Sequence, residues 1–290
     1  QHQQWPGIDI LTDQCDELLT AKQCSSVADQ LGKPRVLSEM YGCTGWDWPL
    51  GRHKYVGDWQ YACGVNFRCQ HLTHYSLAGG AKRDYPASIY AHSPWWPYYR
   101  AVEDYFGRLS YMLTRGRPVR DVLVIHPVQS AWGMYTNMRP NPSDAPALHQ
   151  INEQLKQLIF ALSNGHYDWD FGDEGLLERY GHVTADGLTV GQLSYKLVVV
   201  PPVVTLRKST IDLLNAFMAT GGRVIFVGEQ PNLCDSRDCA DPALLKLLDT
   251  CATCEAEATS LTAAVESLLP RRVSLTVDGK EADQVWAMLR

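Results

Sequence analysis

Short apolar runs alternate with stretches of helical spacing from the first residues onward, the pattern of strands and helices laid down in turn. The run at 7–11 follows Trp5-Pro6, and 13–31 carries Leu18, Leu19, Val27 and Leu31 at helical intervals. Residues 35–39 suit a buried strand ending at Glu39, 52–63 a helix, and 64–71 a second buried strand. An amphipathic helix at 98–113 stops at Arg115-Gly-Arg-Pro118. Between these elements, 72–97 is a long loop rich in His, Tyr, Trp and Pro. From 118 a fresh pattern begins, with strands at 121–126, 167–171, 195–200 and 223–228 and helices at 145–164, 174–180, 209–219 and 242–248. At the end, 271–277 and 285–289 read as β segments around Asp278-Gly279, a hairpin-type turn.

Strands alternating with helices predict an α/β fold with parallel sheets. The near-continuous Val/Ile runs after 118 predict a doubly wound sheet covered on both faces. Before 118 there are only two or three strand–helix units, whereas a closed barrel needs eight. The chain therefore reads as the C-terminal piece of a longer protein, and its last residues as the opening of a further β-rich unit. No internal repeat or low-complexity tract interrupts it.

Composition narrows the function classes. With 290 residues, 45% hydrophobic and 20% charged, the chain can build two cores of ordinary size. A net charge of -6, with no Lys/Arg cluster to reverse it, argues against nucleic-acid or anionic-membrane partners. The longest apolar run, 197–204, is too short to span a bilayer. Nine cysteines in a chain of this size point to reduced thiols and a cytoplasmic protein, with a secreted or periplasmic one as the alternative. Cys234, Cys239, Cys251 and Cys254 have spacing that invites a zinc reading, although ordinary thiols or a disulfide fit the looser first pair better.

The chemistry concentrates at the two strand ends before 118. Barrel strands deliver catalytic groups at their C-terminal ends. Glu39 enters a loop holding Gly42, Gly45, Trp46, Asp47 and Trp48. A carboxylate ringed by indoles suits sugar chemistry, because flat rings stack on sugar faces while the acid handles the anomeric carbon. The competing reading has Glu39 capping the next helix or pairing with Arg35. Tyr41, Gln70, His71, His74 and Tyr75, with Trp95 and Trp96 in the long loop, complete an aromatic and polar inventory denser than a core needs. No glycine-rich turn follows the strand at 121–126, so no nucleotide cofactor is expected, nor any metal in the site. Cys43, between Gly42 and Gly45, stands as a candidate thiol nucleophile with His71 or His74 as base.

Residues 37–47, 57–62, 64–66, 70–72, 74–77, 82–86 and 94–97 together resemble a glycoside hydrolase group. This group is the α-L-rhamnosidase-like (family 106-like) one, distantly similar to the A4-type β-galactosidases of family 42. The likeness continues through 167–174 and 198–202 and so covers nearly the whole chain. It implies that 1–117 is the C-terminal part of a (β/α)8 catalytic barrel. It further implies a flavodoxin- or glutaminase-like domain at 118–268 and the start of a β-sandwich-like unit at 269–290. Glu39 would end the seventh strand as nucleophile, or as base in an inverting variant, and 64–71 would form the eighth. Trp46, Trp48, Trp95 and Trp96 would wall a sugar pocket, with Asp47, His71 and His74 bonding hydroxyls. The general acid of such enzymes ends the fourth strand, in an Asn-Glu pair that this chain does not show at a strand end. The expected partners are a carbohydrate, the N-terminal remainder of the same enzyme, and a second copy bound through the flavodoxin-like domain. A non-catalytic flavodoxin-like interaction module and a Cys43-dependent hydrolase remain the alternatives.

Overall fold

The strand that ends near Glu39 is the middle one of a three-stranded parallel sheet. The computed structural model describes residues 2–83, 89–135, 145–238 and 240–290. They divide into two compact units, 1–118 with Arg290, and 119–289. In the first, β1 (Gly7–Ile10), α1 (Leu18–Gln30), β2 (Leu37–Met40), α2 (Leu50–Ala62), β3 (Phe67–Gln70) and α3 (Arg100–Leu113) follow one another. The sheet order is β1-β2-β3, with Asp9, Glu39 and Cys69 aligned across it and Ile10, Met40 and Gln70 aligned one residue on.

Alternation along these strands separates two faces. Ile10, Ser38 and Met40 are buried, and Met40 joins a core with Val36, just before β2, and with Ala28, Val56, Tyr61, Val102 and Phe106 from the flanking helices. Gly7, Asp9 and Cys69 on the other face are exposed, and Leu37, Glu39 and Phe67 are half-buried. Trp5 tilts onto Phe67 at 5.4 Å, covering the end of that face where the strands begin.

Close contact between α2 and α3 depends on Gly57. A methyl group there would lie 2.2 Å from Cζ of the buried Phe106. Gly57→Ala is therefore expected to destabilise the first unit by about 1–3 kcal/mol, despite alanine's better helix propensity. Chemical denaturation checks this, and a stabilised variant would show that the helices part freely.

The second unit opens with β4 (Val122–Ile125), α4 (Val128–Met134), α5 (Pro146–Asn164), β5 (Trp169–Gly172) and α6 (Glu174–Tyr180). A meander of β6 (Gly181–Thr184), β7 (Gly187–Val190) and β8 (Leu193–Tyr195) follows. Then come β9 (Leu197–Val200), β10 (Thr205–Leu206), α7 (Lys208–Ala219) and β11 (Arg223–Val227). The rest is β12 (Leu233–Cys234), β13 (Arg237–Asp238), α8 (Pro242–Thr250), β14 (Ala252–Cys254), α9 (Ala258–Leu268), β15 (Thr276–Val277) and β16 (Lys280–Glu281). Five strands form one parallel sheet in the order β14-β11-β9-β4-β5. Leu123, Ile125, Val198, Val200, Val224 and Phe226 share a core with Ile211, Leu214 and Phe217 of α7 and with Leu244 and Leu247 of α8. Their neighbours Val122, Val124, Val199, Ile225 and Val227 point the other way and are equally buried, so both faces are covered.

A buried ion network ties β5 to the segment before β4. Arg120 donates from Nε to Asp168 at 2.8 Å and from Nη1 to Asp170 at 3.0 Å, and the Tyr195 hydroxyl donates to Asp170 at 2.9 Å. The expectations for the last residues are half met. Asp278 and Gly279, both at positive φ, turn the short β15–β16 hairpin, but 285–289 is not a strand. Instead Trp286 donates from its indole to Asn164 at 2.8 Å and Leu289 accepts from the Val119 amide at 2.9 Å, laying this segment on the second unit. No helix among the described residues is long and apolar enough to cross a membrane.

Candidate functional site

Strand register places Glu39 on the face of the first sheet that the helices leave uncovered, one residue before β2 ends. Its carboxylate is half-buried and makes no ion pair with a described residue. Arg35, the alternative partner, instead places its guanidinium 6.0 Å from the Phe67 ring centroid. Capping does not occur either: α2 begins at Leu50, with Pro49 as its N-cap and no side-chain cap bond. Asp9 stands beside Glu39 on the neighbouring strand, about 4.8 Å away by strand spacing, and Cys69 flanks it on the other side. The sequence offered no signal for Asp9, because only the register shows that it shares a face with Glu39.

Behind Glu39 the chain bends sharply. Tyr41 has φ +72° and Cys43 φ +60°, a region that costs a bulky L-residue about 1–2 kcal/mol. The bend lets the three strand ends bond to one another. Thr12 donates its amide to the Gly42 carbonyl at 2.9 Å and His71 to the Met40 carbonyl at 2.8 Å. Gly42 has no room for a side chain, since a Cβ would lie 2.9 Å from Leu11 and 3.2 Å from the His71 ring.

Tyr41 does not face outward with the other expected ligand groups. It is fully buried, and its hydroxyl donates to the His53 carbonyl at 2.9 Å while accepting from Arg68 at 3.1 Å. Burial pushes its phenol far above the ordinary range. Gln70 is likewise turned away, bonding Glu103, which also accepts from Arg68 at 2.7 Å. Arg68 lies 4.3 Å from the Phe106 centroid, so β3, α3 and the bend share one polar cluster.

The remaining expected residues fall into two groups. Trp46, 42% exposed, stacks on His74 at 6.1 Å and 20°, a flat platform beside the bend. His71 donates from Nδ1 to the Leu72 carbonyl at 3.0 Å, which in the neutral ring leaves Nε2 as an acceptor. Asp47 and Tyr75 are exposed. Trp48 sits edge-on to His53 at 6.2 Å, beneath Arg52 at 5.5 Å. Trp96 stacks on Tyr99 at 6.0 Å, and Tyr99 meets His53 at 5.4 Å. Trp95 is half-buried in the same loop. Of the expected 82–86 motif, 84–86 lie outside the described residues.

His53 anchors that second group and titrates accordingly. Burial lowers its pKa from 6.5 to about 4. The unfolded chain thus holds a proton that the folded one refuses between these values, and stability is lost as pH falls through that window. The expected loss is on the order of 3 kcal/mol between pH 6.5 and 4. Denaturant midpoints across this range check it, and a His53→Gln chain should lose this part of the slope.

Cys43 is exposed, but α2 begins only at Leu50, so no helix N-terminus adjoins its thiol. Of the zinc candidates, Cys239 lies outside the described residues, Cys234 is buried, and Cys251 and Cys254 are half-buried thiols. In the second unit, Ser130 ties α4 to the segment after β9. Ser130 Oγ accepts from the amides of Val204 and Thr205 at 3.0 and 3.1 Å and donates to the Thr205 carbonyl at 3.3 Å.

No family model and no curated protein matches this chain. Solved structures do. Its fold is similar to that of a rhamnosidase from Novosphingobium sp. PP1Y (TM-score 0.66, 16% identity), over 96% of this chain and 28% of that one. It is also similar to an exo-carrageenase GH42 from Bacteroides ovatus (TM-score 0.58, 14% identity), over 91% of this chain and 35% of that one. A cold-adapted β-galactosidase from Rahnella sp. R3 matches with TM-score 0.56 and 18% identity, over 81% of this chain and 34% of that one. The chain thus has the fold of a stretch of rhamnosidase and GH42 structures, spanning about a third of their length.

Proposed function

We propose that the chain is part of a glycoside hydrolase in which Glu39 attacks the anomeric carbon, or activates the water that does. The observation that carries this reading is the placement of Glu39: a half-buried carboxylate, unpaired among the described residues, near the C-terminal end of a parallel strand and on the face its helices leave open. In this reading β1, β2 and β3 are the sixth to eighth strands of a (β/α)8 barrel whose lumen is that open face. Residues 118–268 form a flavodoxin-like domain, which supplies scaffold and a surface for a second copy, and 269–290 lead into a β-sandwich-like unit. The sheet order of the second unit supports the flavodoxin-like description, since in chain order it runs 2-1-3-4-5.

The Trp46–His74 stack offers a sugar a flat apolar face, and His71 Nε2 and Asp9 offer acceptors for its hydroxyls. A retaining enzyme sets its two carboxyls about 5–5.5 Å apart and an inverting one about 6.5–9.5 Å, so the position of the partner acid selects the stereochemistry. The test is hydrolysis of 4-nitrophenyl α-L-rhamnopyranoside and 4-nitrophenyl β-D-galactopyranoside by the full-length enzyme of which this chain is a part. Turnover that survives Glu39→Gln would remove Glu39 from the mechanism.

A further inference from the structure

We infer that Tyr41 is a positioning residue, its buried phenol locking the left-handed bend that fixes where Glu39 is presented; this rests on the glycoside hydrolase reading above. Tyr41 touches no open surface, so it does not bind substrate. Its backbone holds a conformation that a tyrosine avoids, and such a conformation persists only where the surroundings over-determine it. Three bonds do so here. The hydroxyl donates to the His53 carbonyl on α2 at 2.9 Å, Arg68 on β3 donates to the hydroxyl at 3.1 Å, and Thr44 Oγ1 donates to the Tyr41 carbonyl at 2.8 Å.

The bend lies two residues beyond Glu39, between the two backbone bonds that join the strand ends, Met40 to His71 and Gly42 to Thr12. Releasing the phenol frees the segment to relax toward an ordinary extended path. That relaxation shifts the end of β2 relative to β1 and β3, and the carboxylate moves with it. A core tyrosine with no such duty provides the comparison. Tyr61 is 2% exposed and its hydroxyl bonds Ser110 Oγ at 2.7 Å, in the same unit but away from the strand ends.

The experiment measures kcat and KM of the full-length enzyme that contains this chain, on the two 4-nitrophenyl glycosides, for Tyr41→Phe, Tyr61→Phe and Glu39→Gln. Tyr41→Phe is expected to lower kcat about tenfold to a hundredfold with KM unchanged, the size of effect that a misplaced reacting group produces. Tyr61→Phe should leave both constants unchanged, although it too deletes a buried phenol hydroxyl. Thr44→Val, which removes only the anchor on the Tyr41 carbonyl, should lower kcat in the same sense by a smaller factor and serves if Tyr41→Phe does not fold. Equal effects of Tyr41→Phe and Tyr61→Phe, or a rise in KM at constant kcat, would overturn the positioning role while leaving the loss in Glu39→Gln intact. If Glu39→Gln turns over normally, or the unaltered full-length enzyme cleaves neither glycoside, the hydrolase reading fails and this inference with it.

Discussion

Glu39→Gln is expected to abolish most glycoside turnover while leaving the fold unchanged. The carboxylate is half-buried, forms no ion pair with a described residue, and sits on the uncovered face of β2, so the neutral isostere leaves no charge stranded. Chemistry suffers instead. Loss of a general base lowers rate by about a hundredfold to ten-thousandfold, and loss of a nucleophile removes the covalent route altogether. The two roles are told apart by the product. A retained anomeric configuration, read by NMR in the first minutes, assigns Glu39 as nucleophile, and an inverted one assigns it as base. Denaturation midpoints of the variant should match those of the parent chain, and a large drop in them would show that Glu39 serves the fold.

The largest stability effect is expected at Arg120. Its guanidinium side chain is 1% exposed and faces Asp170, which is fully buried, and Asp168. Arg120→Met keeps most of the volume and leaves the Asp170 carboxylate with the Tyr195 hydroxyl but without its cation. Breaking a buried pair on one side costs about 3–5 kcal/mol. For a unit of this size that corresponds to a fall in melting temperature of about 10 °C. The double variant Arg120→Met with Asp170→Asn removes the stranded charge and should recover part of the loss. If it is no more stable than the single variant, the penalty comes from lost packing around the arginine stem.

Much of the fold was legible as apolar periodicity. The strands at 122–125, 197–200 and, after the exposed Arg223, 224–227 are runs of Val, Ile, Leu and Phe that have no other place than a sheet covered on both sides. Helix α5 announces itself through Ile151, Leu155, Leu158 and Leu162, all buried. What escaped the pattern was short or made by pairing. β14 has only Ala252, Thr253 and Cys254, with no apolar run, and exists because it pairs with β11. The meander β6–β8 and the helix Ala258–Leu268, rich in Ala, Ser and Thr, carried too little contrast to be singled out.

The site divides in the same way. Sequence alone marked Glu39 as the acid at a strand end, placed indoles and imidazoles after it, and argued against a nucleotide-binding turn in the second unit; all of this follows from residue types and their order along the chain. Register, burial and backbone conformation belonged to the tertiary structure. It turned Tyr41 and Gln70 away from the open face and into the Arg68–Glu103 cluster, and paired Trp46 with His74. It also brought Asp9 alongside Glu39, thirty positions away in the chain. A chain's order determines which chemistry is near in sequence, whereas the side of a strand a group faces, and what lies across from it, is decided only when strands align and helices cover one of their faces.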